Sequence, residues 1–235
     1  MTPFYDDGAV TIYHGDCRDV IPALGPVDHV ITDPPYGEET HEGARRYTGD
    51  HLVTTFDAIT AEDVRAIYEL IDARRWLVAT MEWRHVHALE AAPPRGWSFI
   101  RFGIWVKPNG APQFTGDRPA TGWEAVAILH RAGRRLRWNG NGAHAVWTIP
   151  KVSGAHPTRK PDELVEAFVA AFTDPGDVIL DPFGGVGTTA VAAKKLGRRC
   201  ILVESEAHYC ELAARRVSFR FETIPGGLFA GVDHG

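Results

Sequence analysis

The stretch that most restricts what this chain can fold into is VILDPFGGVGTTAVAAKKLGRRCILVESE, residues 178–206. An apolar strand stops at Asp181, glycines follow at 184, 185 and 187, and an alanine-rich helix comes next. A second apolar strand then stops at Glu204. Strand, glycine turn, helix and strand in so few residues form one unit of a parallel α/β sheet. The glycines let the backbone pass close to a ligand where a Cβ would collide.

The rest of the chain repeats the alternation. Strand-length apolar runs occupy 9–16, 28–33, 74–81, 97–107, 122–131, 176–181 and 198–204. Helical patterns fall between them at 17–24, 61–73, 83–92, 161–173, 187–196 and 206–218, with apolar spacing of three and four at Leu164, Val165, Phe168, Val169 and Phe172. The expectation is an α/β fold: a doubly wound, seven-stranded, mostly parallel sheet in a single domain spanning 1–235. At 235 residues, with 44% apolar and 23% charged side chains, the chain can bury a full core. Its start has no basic, apolar leader, and no window approaches the roughly 18 apolar residues that span a bilayer. Three segments fit no element: 37–59, 108–121 and 132–158.

The 178–206 unit also implies a ligand. An acid at the tip of the second strand, Glu204, can accept hydrogen bonds from both hydroxyls of a ribose, so a nucleoside-containing cofactor is inferred. Residues 185–190 satisfy the G-x-G-x-x-A form of a dinucleotide fingerprint, which keeps an NAD-dependent oxidoreductase in view, as does a bare tight turn with no ligand. Asp181-Pro182-Phe183 favours another answer. A fixed carboxylate and an aromatic ring suit an amino-acid zwitterion and a flat base better than a pyrophosphate.

A second unusual stretch is VITDPPYGEET, 30–40. An apolar strand runs into Asp33-Pro34-Pro35-Tyr36, where two prolines fix the backbone and end the strand. An acid and an aromatic ring are thereby held just past a strand end. Together with Phe183–Gly187 and HPTRKP (156–161), this motif resembles the S-adenosylmethionine-dependent DNA methyltransferases that modify exocyclic amino groups. The order, catalytic motif first and cofactor motif last, resembles their circularly permuted beta class. The resemblance covers most of the sheet and implies a Rossmann-like methyltransferase fold, circularly permuted, with the chain's ends, near residues 219 and 9, as neighbours.

It also implies roles residue by residue. S-adenosylmethionine would be the cofactor, with its ribose on Glu204 and its adenine between Ser205, Glu206 and Asp16. Asp181, Pro182, Phe183, Gly184, Gly185, Gly187 and Thr188 would line the methionine part, and Thr158 and Lys160 would reach its carboxylate; Lys160 also fits a plain helix start. Asp33, which borders the cofactor too, would accept a hydrogen bond from the target amine with the Pro34 carbonyl. Pro35 would hold the turn and Tyr36 would stack on a base flipped out of double-stranded DNA. Asp before Pro-Pro-Tyr leans to N6 of adenine, with N4 of cytosine as the alternative. RNA and protein-glutamine methyltransferases, which place the cofactor motif first, fit the order less well, and the intact motifs argue against a non-catalytic DNA-binding relic.

Recognition would fall to 108–121 and 132–158, and a mobile loop at 37–59 would close on the DNA. Arg45 and Arg46 in that loop, and Arg134, Arg135 and Arg137 beside Trp138, would contact phosphates. Cys17, Cys200 and Cys210 lack metal or redox spacing, and His85 and His87 lack the spacing of a shared metal face, so no metal is expected. The reading places the protein in the cytoplasm, bacterial or phage-encoded, with a homodimer and a cognate restriction enzyme as candidate partners.

Overall fold

The computed structural model describes residues 1–35, 59–152 and 159–222, with side chains up to residue 218. The predicted loop 37–59 (all but its last residue), Tyr36, Arg45, Arg46, Thr158 and the tail beyond 222 lie outside the described residues.

All seven predicted strands are present, and two short edge strands bring the sheet to nine. In chain order they are β1 (Tyr5–Asp6), β2 (Val10–His14), β3 (His29–Thr32), β4 (Trp76–Met81), β5 (Trp97–Val106), β6 (Trp123–Arg131), β7 (Val146–Thr148), β8 (Val178–Asp181) and β9 (Arg199–Glu204). The spatial order is β1-β2-β9-β8-β3-β4-β6-β5-β7. Strands β2, β9, β8, β3 and β4 run parallel, β6 is antiparallel to β4 and β5, and β1 is antiparallel to β2. The count of seven was short because β1 and β7 have two and three residues, too few for a periodic signal, and exist through pairing with β2 and β5.

Helices α1 (Cys17–Val20), α2 (Ala61–Leu70) and α3 (Trp83–Ala91) cover one face; α4 (Asp162–Phe172), α5 (Thr188–Lys195) and α6 (Ala207–Glu222) cover the other. Local chemistry sets their starts. Asp16 caps α1 by accepting from the Arg18 N–H, and Thr60 with Asp63 forms a reciprocal capping box on α2. Acidic Asp162 and Glu163 occupy the first turn of α4, where the helix dipole favours them. The central strands β3 and β4 are buried at every position, as expected when helices cover both faces.

From β8 the chain winds through α5 to β9; from β3 it winds through α2 to β4. The two windings part at the adjacent pair β3 and β8, aligned His29↔Ile179 and Val30↔Leu180. That is the switch point at which open α/β sheets bind ligands, beyond the carboxyl ends of the strands. First strand β2 and last strand β9 are direct neighbours, Val10↔Cys200 through His14↔Glu204.

The chain returns along β6 from the cleft edge to the opposite edge of the sheet, since Met81 faces Ala125 and Trp76 faces His130. Residues 132–139 therefore sit at that opposite edge. Asn139 bonds Ala171, Thr173 and Asp174 there, and the Phe172 ring is packed edge-on against both Trp76 and Trp138. Phe172→Ala should cost about 3–5 kcal/mol in urea unfolding, because it empties a site between two indoles, while leaving cofactor affinity within a few-fold. An unchanged unfolding midpoint would contradict this packing account.

Candidate active site

A cleft of about 550 Å³ opens beyond the carboxyl ends of β9, β8 and β3, a size that suits a nucleoside-containing ligand. Its floor is built by the two motifs. Asp33 follows β3, Asp181 ends β8, and parallel pairing brings both to the same edge. Two prolines stop β3 from running on, so Asp33, Pro34 and Pro35 line the cleft.

Asp33 opens a third of its side chain (33%) to the cleft and anchors the rest. Its Oδ1 accepts from Thr80 Oγ1 at 2.7 Å and pairs with Lys160 Nζ at 2.8 Å. Burial pushes its carboxyl above the usual range, with Lys160 pulling it down and Glu124 pushing it up. Lys160 is 7% exposed and also meets Glu124 Oε2 at 3.2 Å. Burial works against its charge, yet the carboxylates of Asp33 and Glu124 more than reverse this, and its ammonium holds its proton more tightly than usual. The resemblance assigned Lys160 to a cofactor carboxylate; the structure sets its ammonium against Asp33 and Glu124.

Asp181 is 3% exposed and accepts from Thr32 Oγ1 at 2.7 Å and from the Phe183 N–H at 3.1 Å. Burial raises its carboxyl to about 6. Pro182, Phe183, Gly184, Gly185 and Thr188 line the cleft, whereas Gly187 does not. The glycines divide the work. A Cβ on Gly184 would lie 2.1 Å from Leu202 Cδ2, and Gly187, at φ +77°, would strike Ala213 of α6. Those two are demanded by packing. Gly185, at φ +47°, has open space where a side chain would project, and is the one that leaves room for a ligand.

Glu204, 6% exposed, is steadied by the N–H groups of Gly185 (2.7 Å) and Glu206 (2.8 Å). Each oxygen retains lone-pair capacity toward hydroxyl donors, and Ser205 and Glu206 line the wall beside it. Asp16 lines the same wall. It is held by Arg18, whose Nε donates at 2.9 Å, and the Arg18 hydrogen bond lowers its carboxyl below the usual range. Cys17, at the cleft, is kept as a thiol by burial, which pushes it to about 11. These donors and acceptors match a ribose and an amino-purine, and a thiol held protonated makes Cys17 a poor nucleophile. Among the described residues no group of three metal-ligating side chains occurs.

A family model described as DNA methylase matches residues 27–215. The chain belongs to the DNA methylase family. It is a DNA methyltransferase, and its methyl donor is S-adenosylmethionine. It is 26% identical to the Type II methyltransferase M2.DpnII of Streptococcus pneumoniae, with 94% of each chain covered. It is 25% identical to M2.LlaDCHI of Lactococcus lactis subsp. cremoris, with 92% of each covered. Among solved structures, the M1.HpyAVI–SAM complex aligns with a TM-score of 0.67 and 26% identity over 88% of this chain and 99% of that one. The cytosine-N4-specific PvuII DNA methyltransferase shares the fold at a TM-score of 0.70 and 16% identity, covering 95% and 90%.

Within this methyltransferase, the structure gathers most of the residues named from sequence into one cleft. Three are elsewhere. Arg134, Arg135 and Arg137 follow β6 at the opposite edge of the sheet, and Arg137 pairs with Asp174 at 3.3 Å. Strand β4 alone separates the edges by about 20 Å, at roughly 3.3 Å per residue. The expected recognition segment 132–158 is therefore divided: 132–139 lies away from the cleft, and the chain is back at the cleft side by Ala145, whose carbonyl accepts from the Ile104 N–H at 2.9 Å, and β7. Residues 108–121 join β5 to β6 on the cleft side, tied to the returning chain by Asn109 and Lys151 through paired bonds of 2.9 and 2.8 Å. Sequence reasoning missed Thr80 and Glu124. Neither lies in a motif: the pairing of β4 with β3 brings Thr80 to Asp33, and the pairing of β6 with β4 brings Glu124 to Lys160.

Asp181 gives a pH signature. Its folded pKa is above the unfolded value near 3.8, so its contribution to stability is present below that value and is lost as pH rises through about 6. The melting temperature of Asp181→Asn should gain on that of the wild type between pH 4 and pH 7, measured calorimetrically. Parallel pH profiles would contradict the burial of this carboxyl.

Proposed function

We propose that the protein methylates N6 of adenine in specific sites of duplex DNA, with Asp33, Pro34, Pro35 and Tyr36 as the catalytic turn. The observation that carries this reading is a carboxylate fixed by Thr80 and Lys160, on the strand next to the cofactor loop, facing a nucleoside-sized cleft. An exocyclic amine is a poor nucleophile because its lone pair is delocalised into the ring. Asp33 and the Pro34 carbonyl accept its two N–H bonds and favour a pyramidal nitrogen, an effect of positioning and fixed dipoles. The proton that the amine must lose would pass to the Asp33 carboxylate. S-adenosylmethionine, when bound, supplies a methyl group on a sulfonium.

The proposed seat for the cofactor is Glu204 for the ribose, Asp16, Ser205 and Glu206 around its adenine, and Asp181, Pro182, Phe183, Gly184, Gly185 and Thr188 along the methionine part, with Thr158 closing from the segment before α4. Gly187 shapes this loop from behind. The target adenine is unreachable inside a duplex and must be flipped into the cleft. Type II naming of both curated relatives carries the reading to a restriction–modification setting in a bacterial cytoplasm, with a restriction enzyme of matching target as functional partner. The beta-class order, with β2 near the start of the chain paired to the last strand β9 as a circular permutation requires, supports placing the chain in that class. Arg45 and Arg46 are proposed to meet the DNA backbone. The segment 108–121, which exposes Phe114 (76%) on the cleft side, is proposed to read the site.

The test is incubation with methyl-labelled S-adenosylmethionine and mixed-sequence duplex DNA, followed by nucleoside analysis. The expected product is N6-methyladenosine, lost on Asp33→Ala by about 10³-fold or more with cofactor binding retained. Label in N4-methylcytidine would move the reaction to the other base, and label that survives Asp33→Ala would overturn the assigned mechanism. A second expectation concerns DNA contact. Arg134→Ala with Arg135→Ala should change the KM for DNA less than twofold, whereas Phe114→Ala should weaken it by about tenfold. The reverse pattern would put the DNA on the far edge of the sheet.

A further inference from the structure

Next to the catalytic turn lies a chain of charges that no motif announces. Lys160 Nζ touches Asp33 at 2.8 Å and Glu124 at 3.2 Å, and Glu124 is bound on its other oxygen by Lys107. Two cations and two anions alternate: Lys107, Glu124, Lys160, Asp33. Trp105, 2% exposed, forms their floor, with the Lys107 ammonium 4.6 Å and the Lys160 ammonium 6.0 Å from its ring centre. The indole is locked by its N–H on the Ile149 carbonyl at 2.7 Å. Glu124 does not line the cleft, so it acts on chemistry there through Lys160 and through its charge on Asp33, not by touching a ligand.

The position of the outer pair gives it meaning. Lys107 closes β5 and Glu124 opens β6, and between them runs the whole 108–121 segment. The Lys107 N–H also bonds the Gly122 carbonyl at 2.7 Å, so the base of that loop is pinned both by backbone and by charge. A buried ion pair must be matched on every side or it destabilises its surroundings. Any shift at the loop base redistributes Lys160 between Glu124 and Asp33.

We propose that Glu124 is a positioning residue of methyl transfer: with Lys107 it divides Lys160 away from Asp33, so that the carboxylate keeps acceptor strength for the target amine, and it couples the 108–121 loop to that carboxylate. The inference rests on the reading of Asp33 as the acceptor of the amine. Besides Lys160 at the start of α4, the groups facing Asp33 are Glu124 of β6, Asp181 of β8, Tyr68 of α2 and the Thr80 hydroxyl of β4. Only Glu124 among them joins the catalytic turn to the loop.

The chain makes two substitutions pull in opposite directions. Glu124→Gln removes a negative charge that opposes Asp33 and leaves Lys160 wholly to it. The acid limb of the kcat/KM profile should move to lower pH, and kcat should fall about tenfold or more. Lys107→Met frees Glu124 to draw Lys160 away, so the acid limb should move to higher pH. In both variants the Kd for S-adenosylmethionine should stay within about threefold, and Glu124→Asp should recover part of the lost kcat. A purely structural role would lower the melting temperature and leave both profiles where the wild type has them. Coincident profiles, or shifts of one sign, would overturn the proposal even if one variant failed to fold, because the other still reports its own direction. Wild-type protein that binds S-adenosylmethionine yet methylates no DNA would overturn the reading of Asp33, and this inference with it.

Discussion

The parallel pairing of β3 with β8 decides where everything else goes. Two strands from opposite ends of the chain, 149 residues apart at His29 and Val178, lie side by side with their carboxyl ends level. One ends in Asp33 and two prolines, the other in Asp181 and a glycine turn. Because both stop at the same edge, the Asp33 carboxylate and the glycine loop open into one cleft. A slip of one residue between them would turn every side chain of one strand to the other face and exchange its buried set for the wrong helices. The helices on both faces, with β3 buried at every position, make that slip costly.

Of the carboxylates that line this cleft, Asp16, Asp33, Asp181 and Glu204 are each settled differently. Asp16 has Arg18, Glu204 has two backbone N–H groups, Asp181 has a hydroxyl and a backbone N–H, and Asp33 has Lys160 with Thr80. The differences fit different tasks. Neutral donors around Glu204 leave it able to accept hydroxyls, while burial keeps Asp181 close to a proton. Asp33 alone stands in a shared ionic chain, which makes its strength as an acceptor adjustable from outside the cleft.

The sequence was a good guide wherever a chemical requirement is local. Consecutive prolines at 34 and 35, glycines at 184–187 and an acid at each strand tip are demands of one turn, and they stand in the sequence as such. The central strands β3 and β4 were legible because burial on both faces leaves unbroken apolar runs. What was not legible depended on pairing across the sheet. Glu124 reaches Lys160 only because β6 runs antiparallel beside β4, and Thr80 reaches Asp33 only because β4 is parallel to β3. The arginines after β6 misled for the same reason. A basic run beside a tryptophan looks like a phosphate arm, but the direction of β6 carries it to the edge away from the cleft, where Arg137 meets Asp174. The glycines misled in a subtler way, since two of the three answer to Leu202 and Ala213 rather than to a ligand.

The central claim is that one cleft seats the nucleoside cofactor with its methionine end toward Asp33. A crystal structure with S-adenosylhomocysteine bound tests it most directly. The account predicts ribose hydroxyls on Glu204, the adenine between Asp16 and Glu206, and the thioether sulfur facing Asp33 past Gly185. A ligand whose ribose lies away from Glu204, or whose sulfur points away from Asp33, would contradict it.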